Sequence, residues 1–331
     1  MTGFNVIPTC FYHPTKVIFL DDNQEFLDAL ELEFSAQINM LTFTDPDSVL
    51  HTIDRHSHDS TKSIFKLMND VNADTAVQNL IGFEVKNLLN TIYDKARFDT
   101  VAVLVVDYEM PSINGIDFCK KLKDKNVFKV MLTAEADKDT AIKAFNQGII
   151  DKFILKTSEN LYQELTQAIQ DLTQRYFHKF SQTIINGYVN SVSRVFENKL
   201  YQQLFLRVLS EAQAVEYYMV DHYGSFLFID KQFNPTWLIV KDVEALNQQL
   251  ELLEGYEVPD QVIASLAKKE KMLFLLSEQE YKQPVGAWTQ YMVESKILDS
   301  NYYYSVVNRH LTDSIQWDSV ASYANYVAET N

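Results

Sequence analysis

Six apolar positions run without interruption from Val101 to Val106, end in Asp107, and pass into the turn-forming stretch Tyr108-Glu-Met-Pro-Ser-Ile-Asn-Gly115. Continuous rather than alternating hydrophobicity predicts a strand covered on both faces, as in a parallel sheet. Asp107 then falls at the carboxyl end of a buried strand, where such sheets keep their reactive groups. Shorter apolar runs repeat the pattern. Residues 17–20 end in Asp21-Asp22, 39–43 are closed by Asp45-Pro46, 128–133 end in Thr133, and 153–156 end in Lys156. Between them Phe26, Leu27, Leu30 and Phe34 recur at helical spacing, and further helices are predicted over 116–122 and 140–148, the last stopped by Gly148. Strand and helix alternate five times. That predicts a doubly wound α/β sheet with Asp21, Asp22, Asp107, Thr133 and Lys156 along one edge.

The periodicity changes twice more. From Leu161 through Leu165, Ile169, Leu172, Tyr176, Phe180 and Ile184, apolar residues recur every three or four positions. This predicts a linker helix of about seven turns, either a two-stranded coiled coil or a helix folded back on its own chain and broken at Asn186-Gly187. Another helix is predicted over 192–212. Short strands follow at 217–220, 225–229 and 236–240, then helices at 243–253 and 259–269, strands at 272–276, 290–293 and 302–307, and a closing helix. This half reads as an α+β domain with five or six antiparallel strands. The predicted organisation is a first domain over 1–160 with a helical insert at about 54–95, linker helices over 161–213, and an output domain over 214–331.

The 331 residues carry a formal net charge of −16. Residues 185–331 hold 11 Lys and Arg against 19 Asp and Glu, a net −8. A nucleic-acid surface built on bulk charge is disfavoured. Cys10 and Cys119 form neither a C-x-x-C pair nor a disulfide framework. With no basic apolar leader and no run of about 18 apolar residues, the expectation is a soluble cytoplasmic protein that makes no membrane contact. The insert contributes His51, His56 and His58 beside Asp54 and Asp59. These read as solvated loop residues before they read as a metal site. Its apolar positions Ile64, Phe65, Leu67, Met68, Leu80, Ile81, Val85, Leu88, Leu89 and Ile92 are expected to pack on the first domain or on a partner. Tyr302–Tyr304, Trp237 and Trp288 are read as core aromatics rather than a stacking platform, and Lys268–Lys271 as a solvated helix end.

Three carboxylates at close range repel one another, and a small hard cation such as Mg²⁺ resolves the conflict while leaving positions for phosphate oxygens. One carboxylate can then serve as nucleophile and form an aspartyl phosphate, with the Thr133 hydroxyl and Lys156 ammonium suited to the added oxygens. In identity and order these residues resemble the receiver domain of two-component response regulators, over Lys16 to about Gln174. That resemblance implies a flavodoxin-like, chemotaxis-type five-stranded parallel sheet in the order 2-1-3-4-5. It casts Asp107 as phosphoacceptor, Asp21 and Asp22 as the Mg²⁺-holding pair, and Glu109 as the donor of a backbone carbonyl to the metal. It also casts Thr133 as switch hydroxyl, Lys156 as the invariant lysine and Phe153 as the switch aromatic. Met110, Pro111 and Gly115 match the loop after the phosphoacceptor. Haloacid-dehalogenase-type phosphatases use similar groups in the opposite order, nucleophile first, whereas here the acid pair comes first.

There are two departures. Thr157 stands where the family usually has a cis proline, and a cis bond there would cost about 2.5–4 kcal/mol. The 56 residues from Asp45 to Thr100 also exceed the single helix a receiver needs. The resemblance implies a sensor histidine kinase or phosphotransfer protein as partner, homodimerisation on phosphorylation, and no catalysis beyond self-phosphotransfer and autodephosphorylation. The chain's general style is similar to that of quorum-sensing response regulators. The expected output is a dimerisation-controlled interaction module; the alternative is an output domain that binds nucleic acid or nucleotide directly.

Overall fold

The computed structural model describes residues 8–35, 37–56, 86–122, 126–134, 137–187, 191–253 and 258–330. The chain forms two compact units, one from Pro14–Asp70 and Lys95–Phe180, the other from Met1–His13, Val71–Asp94 and Ser181–Asn331. The first strand, β1 (Phe11–Tyr12), belongs to the second unit.

In the α/β unit, β2 (Lys16–Leu20), β3 (Met40–Phe43), β4 (Val101–Asp107), β5 (Phe128–Thr133) and β6 (Lys152–Leu155) form one parallel sheet in the order β3-β2-β4-β5-β6. Counted within the unit this is 2-1-3-4-5, as expected. Every residue of β4 is buried, which is what its unbroken hydrophobicity requires. Helix α1 (Gln24–Phe34) starts where the Asn23 side chain accepts from the Phe26 N–H, and it buries Leu27, Leu30 and Phe34 at steps of three and four. Helix α2 (Pro46–His56) follows β3. The next described helix, α3 (Lys86–Asn90), lies in the other unit. Helix α4 (Gly115–Lys121) is capped by the Asn114 side chain on the Asp117 N–H, and α5 (Lys138–Asn146) stops before Gly148, whose φ is +67°. Ile18, Val106, Phe118 and Met131 lie in one buried cluster of this unit.

Helix α6 (Leu161–Gly187) ends at the expected break, and its residues divide between the units after Phe180. The stripe Leu161, Leu165, Ile169, Leu172, Tyr176, Phe180 and Ile184 is buried within the single chain. Of the two readings, the helix packed on its own protein holds. The predicted helix over 192–212 is two: α7 (Ser191–Glu197) and α8 (Lys199–Glu211). Asn198 interrupts them by turning its side chain to the Leu200 and Tyr201 N–H groups, which it can do only from a non-helical conformation.

The second unit is built on β7 (Ala214–Met219), β8 (Phe226–Asp230), β9 (Pro235–Asp242), α9 (Val243–Glu251), α10 (Asp260–Ala267), β10 (Lys271–Leu273), α11 (Glu278–Tyr281), β11 (Met292–Glu294), β12 (Lys296–Ile297), β13 (Tyr302–Val307) and α12 (Tyr323–Thr330). Its main antiparallel sheet has the order β1-β7-β8-β9-β13-β12. Six strands are present, but not the six that were expected. Among the described residues the runs at 272–276 and 290–293 pair with each other, as β10 and β11, in a separate two-stranded sheet, and two-residue strands at 11–12 and 296–297 take the outer places of the main one. Strands of two residues carry no periodicity to read.

The predicted boundaries at 160 and 213 are corrected in the same way. Residues 161–180 count with the α/β unit, and the amino-terminal segment completes the antiparallel one. The insert also differs from expectation. Its described end buries Leu88, Leu89 and Ile92 within the antiparallel unit, where the Ala321 N–H donates to the Ile92 carbonyl at 3.0 Å, rather than covering the α/β unit. His58, Asp59 and Ile64 to Val85 lie outside the described residues.

Candidate functional site

Register along the parallel sheet assembles the site. Leu20 of β2 is level with Val106 of β4, so Asp21 follows at the level of Asp107. Asp107 is level with Leu132, and Thr133 with Leu155, so Thr133 and Lys156 emerge one step further along the same edge. Lys156 lies one residue past the end of β6, held by its N–H donating to the Thr133 carbonyl at 2.9 Å. Four apolar strands thus deliver four polar ends to one place.

One carboxylate oxygen each from Asp21, Asp22 and Asp107 lies within 4.8 Å of the others. Asp21 and Asp107 are buried, and Asp22 is exposed. The Lys156 ammonium bridges the buried pair, 2.7 Å from Asp21 Oδ2 and 2.9 Å from Asp107 Oδ1. Its charge also sits 5.0 Å from the centroid of the Phe26 ring. The other Asp21 oxygen accepts from the Asn23 N–H at 3.0 Å.

Burial pushes the Asp107 carboxyl above its ordinary range, with the Asp21 charge adding to the rise, while Lys156 and the Tyr108 N–H pull against it. For Lys156 burial opposes the charge, but the two carboxylates outweigh it and the net movement is upward. The lysine stays charged, and one cation faces three acids. The donor set is all oxygen, partly buried and one-sided in charge. That fits a small divalent cation of the Mg²⁺ class, and Asp21, Asp22 and Asp107 are the side chains that would hold it.

The loop after β4 closes over the site through one close approach. The Gly115 N–H donates to the Tyr108 carbonyl at 2.9 Å, and a Cβ on Gly115 would lie 2.2 Å from the Asp107 carbonyl oxygen. Only glycine fits. Asp22, Tyr108, Glu109, Met110, Pro111 and Asn114 line a shallow depression in the same unit, with Glu109 exposed on the loop. Thr133 is fully buried, its hydroxyl donating to the Ala134 carbonyl at 3.2 Å. Phe153 is half-buried and meets Phe145 edge-on at 6.5 Å between ring centres. The Lys156–Thr157 bond is trans, as a non-proline residue prefers.

Phe26 and Asn23 were not expected here. Helical spacing assigns Phe26 to the core, although it falls one position ahead of the Leu27, Leu30, Phe34 stripe. In the second unit Trp237 and Trp288 are buried, their indole N–H groups bonded to the carbonyls of Arg309 and Glu280. Both are core residues, as expected.

Residues 78–170 match the response regulator receiver domain family, a span that includes Asp107, Thr133 and Lys156 but not Asp21 or Asp22. The chain is 38% identical over 65 residues to the chemotaxis protein CheY1 of Helicobacter pylori strain J99, and 37% over 65 residues to CheY1 of strain 26695. Each match spans 18% of this chain and about half, 51%, of the relative's length. The solved structure of the Legionella pneumophila response regulator LqsR is similar over 98% of this chain and 97% of its own, at 27% identity and a TM-score of 0.74.

Proposed function

In a chain that carries a response regulator receiver domain, we propose that Asp107 is the phosphoacceptor of a two-component signalling step dependent on a divalent cation. The observation that carries this is the meeting of Asp21, Asp22 and Asp107 around the Lys156 ammonium. An Asp107 oxygen attacks the phosphorus of a phosphohistidine on a sensor kinase or phosphotransfer protein. The P–N bond breaks, and the leaving imidazole keeps the electron pair and takes up a proton. Asp21, Asp22 and Asp107 would hold a Mg²⁺ ion, with the Glu109 carbonyl as the resemblance implies, and the ion would supply charge neutralisation for the phosphoryl oxygens. Lys156 exchanges a carboxylate for a phosphoryl oxygen, the Thr133 hydroxyl turns from the Ala134 carbonyl to another, and Phe153 moves inward with it.

On this reading the protein is no enzyme beyond accepting and hydrolysing its own phosphoryl group. The antiparallel unit carries the output through homodimerisation or a protein partner, and we place it in cell-density signalling from the sequence resemblance. Its acidic balance favours that over direct nucleic-acid binding, which salt-dependent retention on DNA or RNA would reveal.

The test is incorporation from a small phosphodonor with Mg²⁺, read by phosphate-affinity electrophoresis, with light scattering on the same samples. Wild type should gain an acid-stable, base-labile phosphoryl group, lost in Asp107→Asn and with chelator. Incorporation that persists in Asp107→Asn would refute the assignment. A mass that stays constant on phosphorylation would remove dimerisation.

A further inference from the structure

Helix α8 buries one face against the antiparallel sheet and leaves the other open. We propose that this open face pairs antiparallel with the same face of a second copy of the chain. The inference rests on the homodimer reading of the proposed function and names the surface that carries it.

Tyr201, Leu204, Phe205 and Val208 form the inner face, and the Phe205 ring lies 5.0–5.2 Å between centres from those of Tyr217, Phe226 and Phe228. Helical spacing puts Lys199, Leu200, Gln203, Leu206, Arg207 and Glu211 on the opposite side, and all of them are exposed. Leu200 is 48% and Leu206 37% exposed, so apolar surface is left open on a helix whose core stripe is already satisfied.

The charges on this face run against the helix's own field. A helix favours anions at its amino end and cations at its carboxyl end. Helix α8 does the reverse: it begins on Lys199, ends on Glu211, and has no acid in its first turn and no base in its last. Among the described residues neither Lys199 nor Glu211 has an ion-pair partner. The two stand about 18 Å apart along the axis. A second copy, related by a two-fold axis level with Phe205, brings Lys199 opposite Glu211 of that copy, and Glu211 opposite its Lys199. Each charge then lies beside a helix end of opposite sign. Arg207 comes level with Gln203 of the second copy, and the two Leu206 side chains meet close to the axis. A parallel arrangement would set Lys199 against Lys199 and Glu211 against Glu211, so the charges select the antiparallel one.

One face of a helix this long falls below the roughly 1,200 Å² of standard interfaces, so the pairing is weak. It is measured by sedimentation velocity on the full-length protein over a concentration series reaching hundreds of micromolar, with and without a small phosphodonor and Mg²⁺. Wild type should associate reversibly in at least the treated samples. Lys199→Glu and Glu211→Lys should each weaken this roughly tenfold, because each turns two attractions into two repulsions. An equimolar mixture of the two variants should recover most of the association, as should the double variant, since both restore opposite charges at each end. Neither substitution should lower the urea midpoint, because a Glu in the first turn and a Lys in the last suit the helix's own field. Phosphoryl incorporation on the same samples tests Asp107 separately. Absence of wild-type association in both conditions, single variants that associate like wild type, or a mixture no tighter than its components would each overturn the proposal, whatever incorporation shows.

Discussion

At the scale of single residues the site depends on one atom that is absent. A Cβ on Gly115 would lie 2.2 Å from the Asp107 carbonyl oxygen and 3.0 Å from Met131 Sδ. The thioether can give way, but the backbone oxygen belongs to the residue that must stay placed. Gly115→Ala should lower the unfolding free energy of the α/β unit by roughly 1–3 kcal/mol, as overpacking does, seen as a lower urea midpoint in far-UV circular dichroism. It should also slow incorporation at Asp107, because relief of the clash displaces that strand end. Unchanged stability together with unchanged incorporation would contradict this account. The carboxylates, Thr133 and Lys156 were legible in the sequence because each terminates an apolar run, and a run's end is a position in a sheet. Gly115 was legible only as part of a matching loop. Its reason, a contact with a residue eight positions earlier, has no periodic signature. Phe26 was hidden for a related cause: a helical repeat marks a face of the helix, not the lysine beside which that face lies.

At the scale of elements the apolar pattern predicted where helices and strands lie better than what covers them. Helix α6 shows the gap. A stripe at three- and four-residue steps serves equally for a coiled coil or a packed helix, and only the folded chain decides. Leu165 is fully buried. Leu165→Ala should therefore cost about 2–5 kcal/mol, the range for a leucine cavity in a core, seen in the circular dichroism transition of the α/β unit. The mass of the unphosphorylated protein by light scattering should not change. A fall in mass at unaltered stability would instead mark this stripe as an intermolecular seam. The break at Asn198 is legible only in hindsight, since the flanking residues of α7 and α8 continue a helical pattern through it. The strands β10 and β11 were found but misplaced, because alternation identifies a strand and not its sheet.

At the scale of the whole molecule, the antiparallel unit draws on three separate stretches of chain, and this was the least legible feature of all. A two-residue strand far from its partners in sequence offers no local signal, yet it carries much of an edge. The Met219 N–H donates to the Cys10 carbonyl at 2.7 Å, Phe11 pairs with Tyr218, and Cys10 and Phe11 are buried. Removing residues 1–13 strips this strand from β7 and leaves Tyr217 and Tyr218 on an open edge. The loss of Phe11 alone should cost roughly 3–5 kcal/mol. Two readouts separate the units. Trp237, Trp288 and Trp317, the three tryptophans of the chain, lie in the antiparallel unit, so tryptophan fluorescence follows its unfolding. Phosphoryl incorporation at Asp107 follows the other unit. The truncated protein should show its fluorescence transition at distinctly lower urea while still accepting phosphate from a small donor. If the transition does not move, the strand is dispensable; if incorporation is lost as well, the two units do not fold as separately as their contacts imply.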